Sequence, residues 1–435
     1  MAEMKDSGIG WVHDIPASWD VIKGKYLFTN NKLIVGSKVE EYDRLALTLN
    51  GVIKRSKDDN EGLQPVKFDT YQILKKDELV FKLIDLQNIS TSRVGLSPYI
   101  GIVSPAYIIL KCSEDIYPQF AEKYYLMMWM NQVFNALGDS GVRSSLNSSE
   151  LLELSIPLPP IDEQKKIATY LDEQCKKIDE IMADIQNQID TLEEYKKSVI
   201  SEAVTKGLDP DAVMKDSGIS HIDSIPSHWK TLKLKYASTL KGRIGWQGLR
   251  TEEYRDEGPY LVTGTDFNKG YINWSSCVHV SKERFEQDKN IQIQENDLLI
   301  TKDGTIGKIA MAKECPAEVS LNSGVFIVRN NRKYRYNDKF FYYIILSKQF
   351  SLWFELAQRG NSTIKHLTQE NFYEFTFAYP PIAEQAQIVD FLDDKCGRVD
   401  SIIEDKKAQL ETIENYKKSL IYEYVTGKKE VPENE

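Results

Sequence analysis

Apolar side chains recur at seven-residue spacing after Pro160, at Leu171, Ile178, Ile185, Leu192 and Val199. Cys175, Met182 and Ile189 follow the first three of these by four residues, and no proline appears again until Pro210. This is an a/d seam, and it predicts a helix of about 40 residues, ~60 Å long at 1.5 Å per residue. A second copy places Leu392, Val399, Ile413 and Leu420 on one row and Cys396, Ile403 and Leu410 on the other. Lys406 interrupts that seam, and Lys196 and Lys417 take core-type positions near the helix ends. The flanks are Lys, Glu, Asp and Gln, which suit a solvated face. Helices draw most of their stability from packing an apolar face. The two are therefore expected to pack on each other, antiparallel, since each starts from its own globular region. Packing of each helix on its own domain, or pairing between chains, is the alternative.

The remaining pattern is shorter in period. Leu79–Phe81, Ala106–Leu110, Asp297–Ile300 and Gly324–Val328 read as strands, and Tyr117–Leu137 and Asn337–Gln358 as helical stretches. Residues ~20–155 and ~230–377 are thus two mixed, strand-rich regions, and they differ strongly from each other.

The rest of the chain repeats. Met4–Ile9 recurs letter for letter as Met214–Ile219, and Ile15-Pro16, Trp19 and Lys25-Tyr26 recur at the same offset of 210, giving 12 identities in 23 positions. At an offset of 221, residues 159–205 match their partners at 23 of 47 positions without a gap, including Pro-Pro-Ile, Glu-Gln and Tyr-Lys-Lys-Ser. The chain is a duplication: lead segment, variable region, Pro-Pro, long helix. The expected division is 1–155 and 208–377 for the two lead-plus-variable domains, 156–207 for the central helix, and 378–435 for the C-terminal helix and tail. By symmetry the last helix should end beside the first lead segment, in a pseudo-twofold, nearly circular α+β arrangement. Two domains strung like beads are the plainer alternative.

At 435 residues with 41% hydrophobic content, the chain has material for several packed cores. No run of ~18 apolar residues suggests a membrane span, the polar N-terminus carries no export signal, and five cysteines without a CxxC pair suggest a reducing compartment, here the cytoplasm. The net charge of −10 argues against a nucleic-acid partner only until it is divided. Residues 151–210 and 371–435 carry −6 each, residues 1–150 carry −2, and residues 211–370 carry +4. The acidity belongs to the helices.

Local patches in the variable regions fit phosphate and base contacts. They are Lys54-Arg55-Ser56-Lys57, the stretch Lys241 to Arg250 with Arg243 and Gln247, the turn Asp303-Gly-Thr305-Ile-Gly307 flanked by Lys302 and Lys308, and Arg359-Gly-Asn361-Ser362-Thr363-Ile-Lys365. Arg93 and Arg143 complete the candidate DNA contacts. Taken alone, each patch reads better as an ordinary solvated loop; their weight comes from occurring together in domains held apart by the helices.

No catalytic constellation accompanies them. Gly304-Thr-Ile-Gly307-Lys308 has two residues between its glycines instead of four, and Ile309 stands where a phosphate loop needs Ser or Thr. Leu158-Pro-Pro-Ile161 and Tyr379-Pro-Pro-Ile382 lack the Asn or Asp of an adenine methyltransferase motif. Glu163-Gln-Lys165 fits the tail of a nuclease motif, but no Pro-Asp precedes it. His13, His221, His228, His279 and His366 show no metal-binding spacing, and Cys277 with His279 lacks further ligands. No metal or catalytic site is assigned. The Pro-Pro pairs read as stops before helix N-termini with acidic first turns.

The duplicated Pro-Pro-x-x-Glu-Gln and Ile-Pro-x-x-Trp segments, with the Asp303–Gly307 turn, resemble the specificity subunits of type I restriction–modification systems over essentially the whole chain. The first half departs from the pattern, with Ser92-Arg-Val-Gly95 near the position of the turn. The resemblance implies two target recognition domains, each reading one half of a bipartite sequence in double-stranded DNA. It implies helices that set the unread gap, with sites about one turn, ~34 Å, apart on the duplex. It further implies a non-catalytic chain that recruits two methyltransferase subunits and, with restriction subunits, joins an ATP-dependent endonuclease. S-adenosylmethionine, ATP and Mg2+ would then be bound only by those partners. A coiled-coil scaffold without a DNA role is the competing reading.

Overall fold

The computed structural model describes residues 3–30, 32–59, 67–86, 93–138, 145–243, 249, 251–331, 333–358 and 366–432. The chain divides into two units: residues 1–186 with 407–435, and residues 187–406. The long helices span Ile161–Lys206 and Ile382–Val425, and each contributes one part to each unit.

In the first unit, Asp20–Lys23 pairs antiparallel with Ser155–Leu158, so the recognition region begins and ends on one two-stranded ribbon. Two four-stranded sheets lie between. One runs Gly51–Arg55, Arg44–Thr48, Gly101–Val103, Gln72–Leu74, with its middle pair parallel. The other runs Phe28–Thr29, Ile108–Cys112, Leu79–Lys82, Arg93–Leu96, all antiparallel. Leu79, Val80 and Phe81 are all buried, because the strand has neighbours on both edges and packing on both faces. The helix Pro118–Met130 packs here, with the Tyr125 ring edge-on to Phe81 at 4.9 Å.

The expected helix over Tyr117–Leu137 is broken. Asn131 donates from its amide to the Met127 carbonyl at 2.9 Å, Gln132 turns left-handed at φ 57°, and a new five-residue helix starts at Val133. Local side-chain capping overrides the apolar pattern there.

The second unit repeats the ribbon, with Lys230–Lys233 against Thr376–Tyr379. Its recognition region is built differently. A six-stranded sheet orders Ser238–Gly242, Val325–Asn330, Leu298–Thr301, Ile309–Met311, Tyr271–Ile272 and Phe267–Asn268. A three-stranded sheet places Arg255–Val262 between Val278–His279 and Val319–Leu321. The stretch Asn337–Gln358 is also two helices, Asp338–Leu346 and Lys348–Ala357. Ser347 separates them: its hydroxyl donates to the Ile344 carbonyl, and the Lys348 N–H turns instead to the Ser201 hydroxyl, 2.9 Å away on the first long helix.

Within each unit the two long helices are antiparallel. In the second unit Lys196 meets Asp400 at 2.6 Å, and in the first Lys417 meets Asp179 at 2.5 Å. Of the expected seam, Leu171, Ile178, Ile185, Leu392, Val399, Ile403 and Leu420 are buried, while Leu192, Val199, Leu410 and Ile413 are half-buried. Lys406, which breaks the apolar row, reaches Gln188 of the other helix. Cys175 and Cys396 are buried free thiols, pushed up from their ordinary pKa by burial, Cys396 to about 11.

The expected meeting of chain ends occurs within the first unit. Val12, Ile15 and Trp19 share a core with Leu420, Ile421, Tyr424 and Val425. The Tyr422 hydroxyl donates to the Val12 carbonyl at 3.2 Å and Lys428 to that of Asp14 at 2.8 Å. Gly427, at φ 69°, closes this junction: a Cβ there would sit 2.3 Å from Pro16.

Candidate nucleic-acid interface

The lead-in to each long helix is a hydrogen-bonded clamp. Gln164, fully buried, accepts from the Tyr117 N–H at 2.7 Å and donates to the carbonyls of Asp115 and Pro159. Gln385 accepts from the Asn337 N–H at 2.8 Å and donates to the Pro380 carbonyl. The glutamine after Pro-Pro thus ties the first turn of the long helix to the start of a recognition-region helix.

A second duplicated clamp joins each ribbon to the short helix before it. Glu153 accepts from Lys23 and Lys25, both at 2.8 Å. Glu374 accepts from Lys233 and Lys235, both at 2.6 Å. Hydrogen bonds from the paired ammonium groups hold each carboxyl down at about 2. The sequence carried this signal: Glu153 and Glu374 are also 221 residues apart.

On this frame the candidate DNA contacts separate into three groups. In the second unit, Thr305 and Lys308 are exposed on the turn between Leu298–Thr301 and Ile309–Met311, and Lys302 is half-buried with its ammonium over the Phe326 ring at 4.9 Å. Thr301 braces the turn, donating to the Thr305 carbonyl and accepting from the Lys308 N–H. Gly307, at φ 85°, lets the turn lie against Phe350, which a Cβ would meet at 2.8 Å. Asp303 bonds the His366 ring at 2.7 Å, and the Leu367 N–H donates to the Lys302 carbonyl at 3.0 Å. The turn is therefore fixed beside the C-terminal flank of the 359–365 stretch. Lys241 is exposed on the edge strand Ser238–Gly242.

The second group is already paired. Lys54 lies 2.6 Å from Asp43 and Arg55 2.5 Å from Asp59, while Lys57 holds the Val39 carbonyl and Glu40. The Lys54 ammonium holds Asp43 below the usual carboxylate range. Arg93 is half-buried at the start of an edge strand, opposite Lys82. Burial, with Arg93 beside it, lowers the pKa of Lys82.

Arg243 forms the third group and corrects the sequence reading. It is only 1% exposed, donating to the Leu321 carbonyl at 3.0 Å and the Ser320 hydroxyl at 3.1 Å. It braces the three-stranded sheet and presents nothing to a duplex. Arg143, Gln247, Arg359, Asn361, Ser362, Thr363 and Lys365 lie outside the described residues. Among the described residues, no group of three His, Cys, Asp or Glu side chains could hold a metal ion, and no helix is long and apolar enough to cross a membrane.

A duplicated frame carrying two unlike strand-rich regions, one with a braced basic turn, defines a two-headed recognition protein. The sequence profile described as type I restriction modification DNA specificity domain matches residues 21–191 and 226–412, and the chain belongs to that family. It is a DNA sequence-specificity subunit of a type I restriction–modification complex, which decides against the scaffold reading. The putative type I restriction enzyme MjaX specificity subunit of Methanocaldococcus jannaschii is 27% identical over 316 residues, 71% of this chain and 68% of that one. The MjaVIII specificity subunit of the same organism is 22% identical over 427 residues, 95% of this chain and 93% of that one. A solved chain, described as "Structural basis underlying complex assembly and conformational transition of the type I R-M system", has the same fold. It aligns with a TM-score of 0.68 at 13% identity, covering 95% of this chain and 99% of its own.

Proposed function

We propose that each recognition region reads one half of a bipartite DNA target, that the long helices set the unread gap, and that the helices and lead segments dock two methyltransferase subunits. This chain performs no chemistry. Its partners supply N6-adenine methylation with S-adenosylmethionine and, once restriction subunits join, ATP- and Mg2+-dependent cleavage. The observation that carries the reading is the contrast between halves. The ribbon, Gln clamp and Lys-Glu-Lys clamp recur, while the regions they hold have different sheets. In the second region, exposed Thr305 and Lys308 on the braced turn supply hydroxyl and ammonium groups for a duplex.

The test is methylation mapping in cells that co-express this chain with its methyltransferase. A bipartite methylated motif that disappears when this chain is deleted is expected. Exchanging residues ~20–155 for another reader should change one half-site alone; a change in both halves overturns the division of labour. Lys308→Ala should lower DNA affinity of the complex and flatten its log–log salt slope by about 1. An unchanged slope removes the turn from the phosphate contacts.

A further inference from the structure

Two turns beyond each glutamine clamp, the long helix is tied to its recognition region a second time. Asp172 and Asp393 stand eight residues after Gln164 and Gln385, and 221 residues apart. In the first unit the Lys123 ammonium lies 2.6 Å from Asp172, with the lysine side chain only 11% exposed. In the second unit the Tyr343 hydroxyl donates to Asp393, and the Lys339 ammonium lies 3.5 Å from the same carboxylate. Lys123 and Tyr343 are each the sixth residue after the one whose N–H the glutamine holds, Tyr117 and Asn337. The aspartate is kept in both copies, while a lysine reaches it in one region and a tyrosine in the other. Eight residues of helix are ~12 Å. Two ties that far apart fix an angle, where one alone leaves a pivot.

The second region adds a tie of its own. The strands Phe267–Asn268 and Tyr271–Ile272 turn at Lys269 and Gly270, with φ 49° and 82°. A two-residue turn of this kind favours Asn-Gly. A lysine holds its first position instead, and the ammonium pairs with Glu404, 11 residues beyond Asp393. The turn is seated on the helix Asp338–Leu346, where a Cβ on Gly270 would overlap the Tyr342 hydroxyl. Lys339 locks the two together: it donates to the Tyr271 hydroxyl at 3.1 Å, and its ammonium lies over the rings of Tyr271, Tyr342 and Tyr343. This tie is not repeated at the matching place in the first copy, where Ala183 stands at the position of Glu404.

We propose that Lys123, Lys339, Tyr343 and Lys269 are positioning residues for gap length, holding each recognition region at a fixed angle to its long helix. This rests on the functional reading above, in which the helices carry two regions at a set spacing. Adding one base pair to the gap moves a half-site by ~3.4 Å and turns it by about a tenth of a helical turn. Helices of fixed length exclude such a site only when the regions mounted on them cannot swivel to follow it. The ties supply that restraint, and all four residues lie on the recognition side of them. Substituting these residues leaves the helices and their seam as they are.

The test co-expresses the full chain with its methyltransferase and maps N6-methyladenine by single-molecule sequencing. The wild-type chain should methylate sites of one gap length. Lys123→Met should admit gaps one base pair longer or shorter, with both half-sites unchanged. Its preference for the correct gap should fall about tenfold, the scale of one charged hydrogen bond that no longer resists tilting. Lys339→Met, Tyr343→Phe and Lys269→Ala together should do the same, and Lys269→Arg, which keeps the cation, should keep wild-type selectivity. Should Lys123→Met fail to fold, the triple variant decides by the same criterion, since its changes retain the buried apolar bulk and Lys269 is 74% exposed. A single gap retained in both variants, whether methylation is full or uniformly weakened, overturns the proposal and leaves the functional reading intact. Altered half-sites also overturn it, by assigning these residues to base reading. A wild-type chain that gives no bipartite motif of fixed gap overturns both.

Discussion

Lys196 of the first long helix lies 2.6 Å from Asp400 of the second, and both recur 221 residues apart, as Lys417 and Asp179 at 2.5 Å. Each lysine stands at a seam position that apolar packing would otherwise fill. The lysine side chains are 27% and 17% exposed and the aspartates over half exposed, so each pair is screened but anchored. Such a pair fixes helix register more than it adds stability.

Removing one partner should therefore cost more than replacing the lysine with a residue the seam can bury. Asp179→Ala is expected to destabilise the chain by ~1 kcal/mol or somewhat more, because the Lys417 side chain stays more than four-fifths covered. Lys417→Met should be neutral or stabilising, and the double variant should resemble Lys417→Met. Urea unfolding midpoints at constant slope measure this. An Asp179→Ala midpoint equal to wild type refutes the anchoring.

The glutamine clamp predicts an unequal pair of losses. Gln164 makes three hydrogen bonds in a fully buried site, and Gln385 makes two. Gln164→Leu is expected to cost ~2–4 kcal/mol, since it leaves a buried N–H and two carbonyls unmatched. Gln385→Leu should cost less. Thermal melting of the two variants ranks them, and the reverse order contradicts the clamp.

Acid should loosen both ribbons together. Glu153 and Glu374 sit at about 2 in the folded chain against an ordinary value of 4.5. A carboxyl depressed on folding adds stability above its unfolded pKa and loses it as pH falls toward its folded one. Wild-type stability should drop more steeply between pH 4.5 and 2 than that of the Glu153→Gln, Glu374→Gln variant, and the two curves should converge near pH 2. Parallel curves across that window rule the clamps out as its source.

The seams, their Pro-Pro starts and the meeting of chain ends were legible because they rest on periodic or repeated residues. Lys196 and Lys417 were visible as intruders in an apolar row, but their aspartates lie on the other helix, beyond any local pattern. The recognition regions were legible only in part. Their strands read locally, yet Arg44–Thr48 pairs with Gly101–Val103, and nothing local encodes a partner that distant. Gln132 breaks a helix without glycine or proline to announce it. Arg243 stands in a string of basic and glycine residues that reads the same facing solvent or facing the Leu321 carbonyl. The fixing of the 302–308 turn by His366 also joins residues 63 apart.

The ribbon Asp20–Lys23 with Ser155–Leu158, and its counterpart Lys230–Lys233 with Thr376–Tyr379, bring the two ends of each recognition region side by side. An insert of any length or topology meets the frame at one spot, and closing a longer insert costs only logarithmically more. In hereditary terms each recognition region is a cassette bounded by flanks that keep about half their residues between the two copies. Recombination between related genes at these flanks would exchange the whole cassette, and with it the DNA specificity, while the contacts within the frame are inherited unchanged.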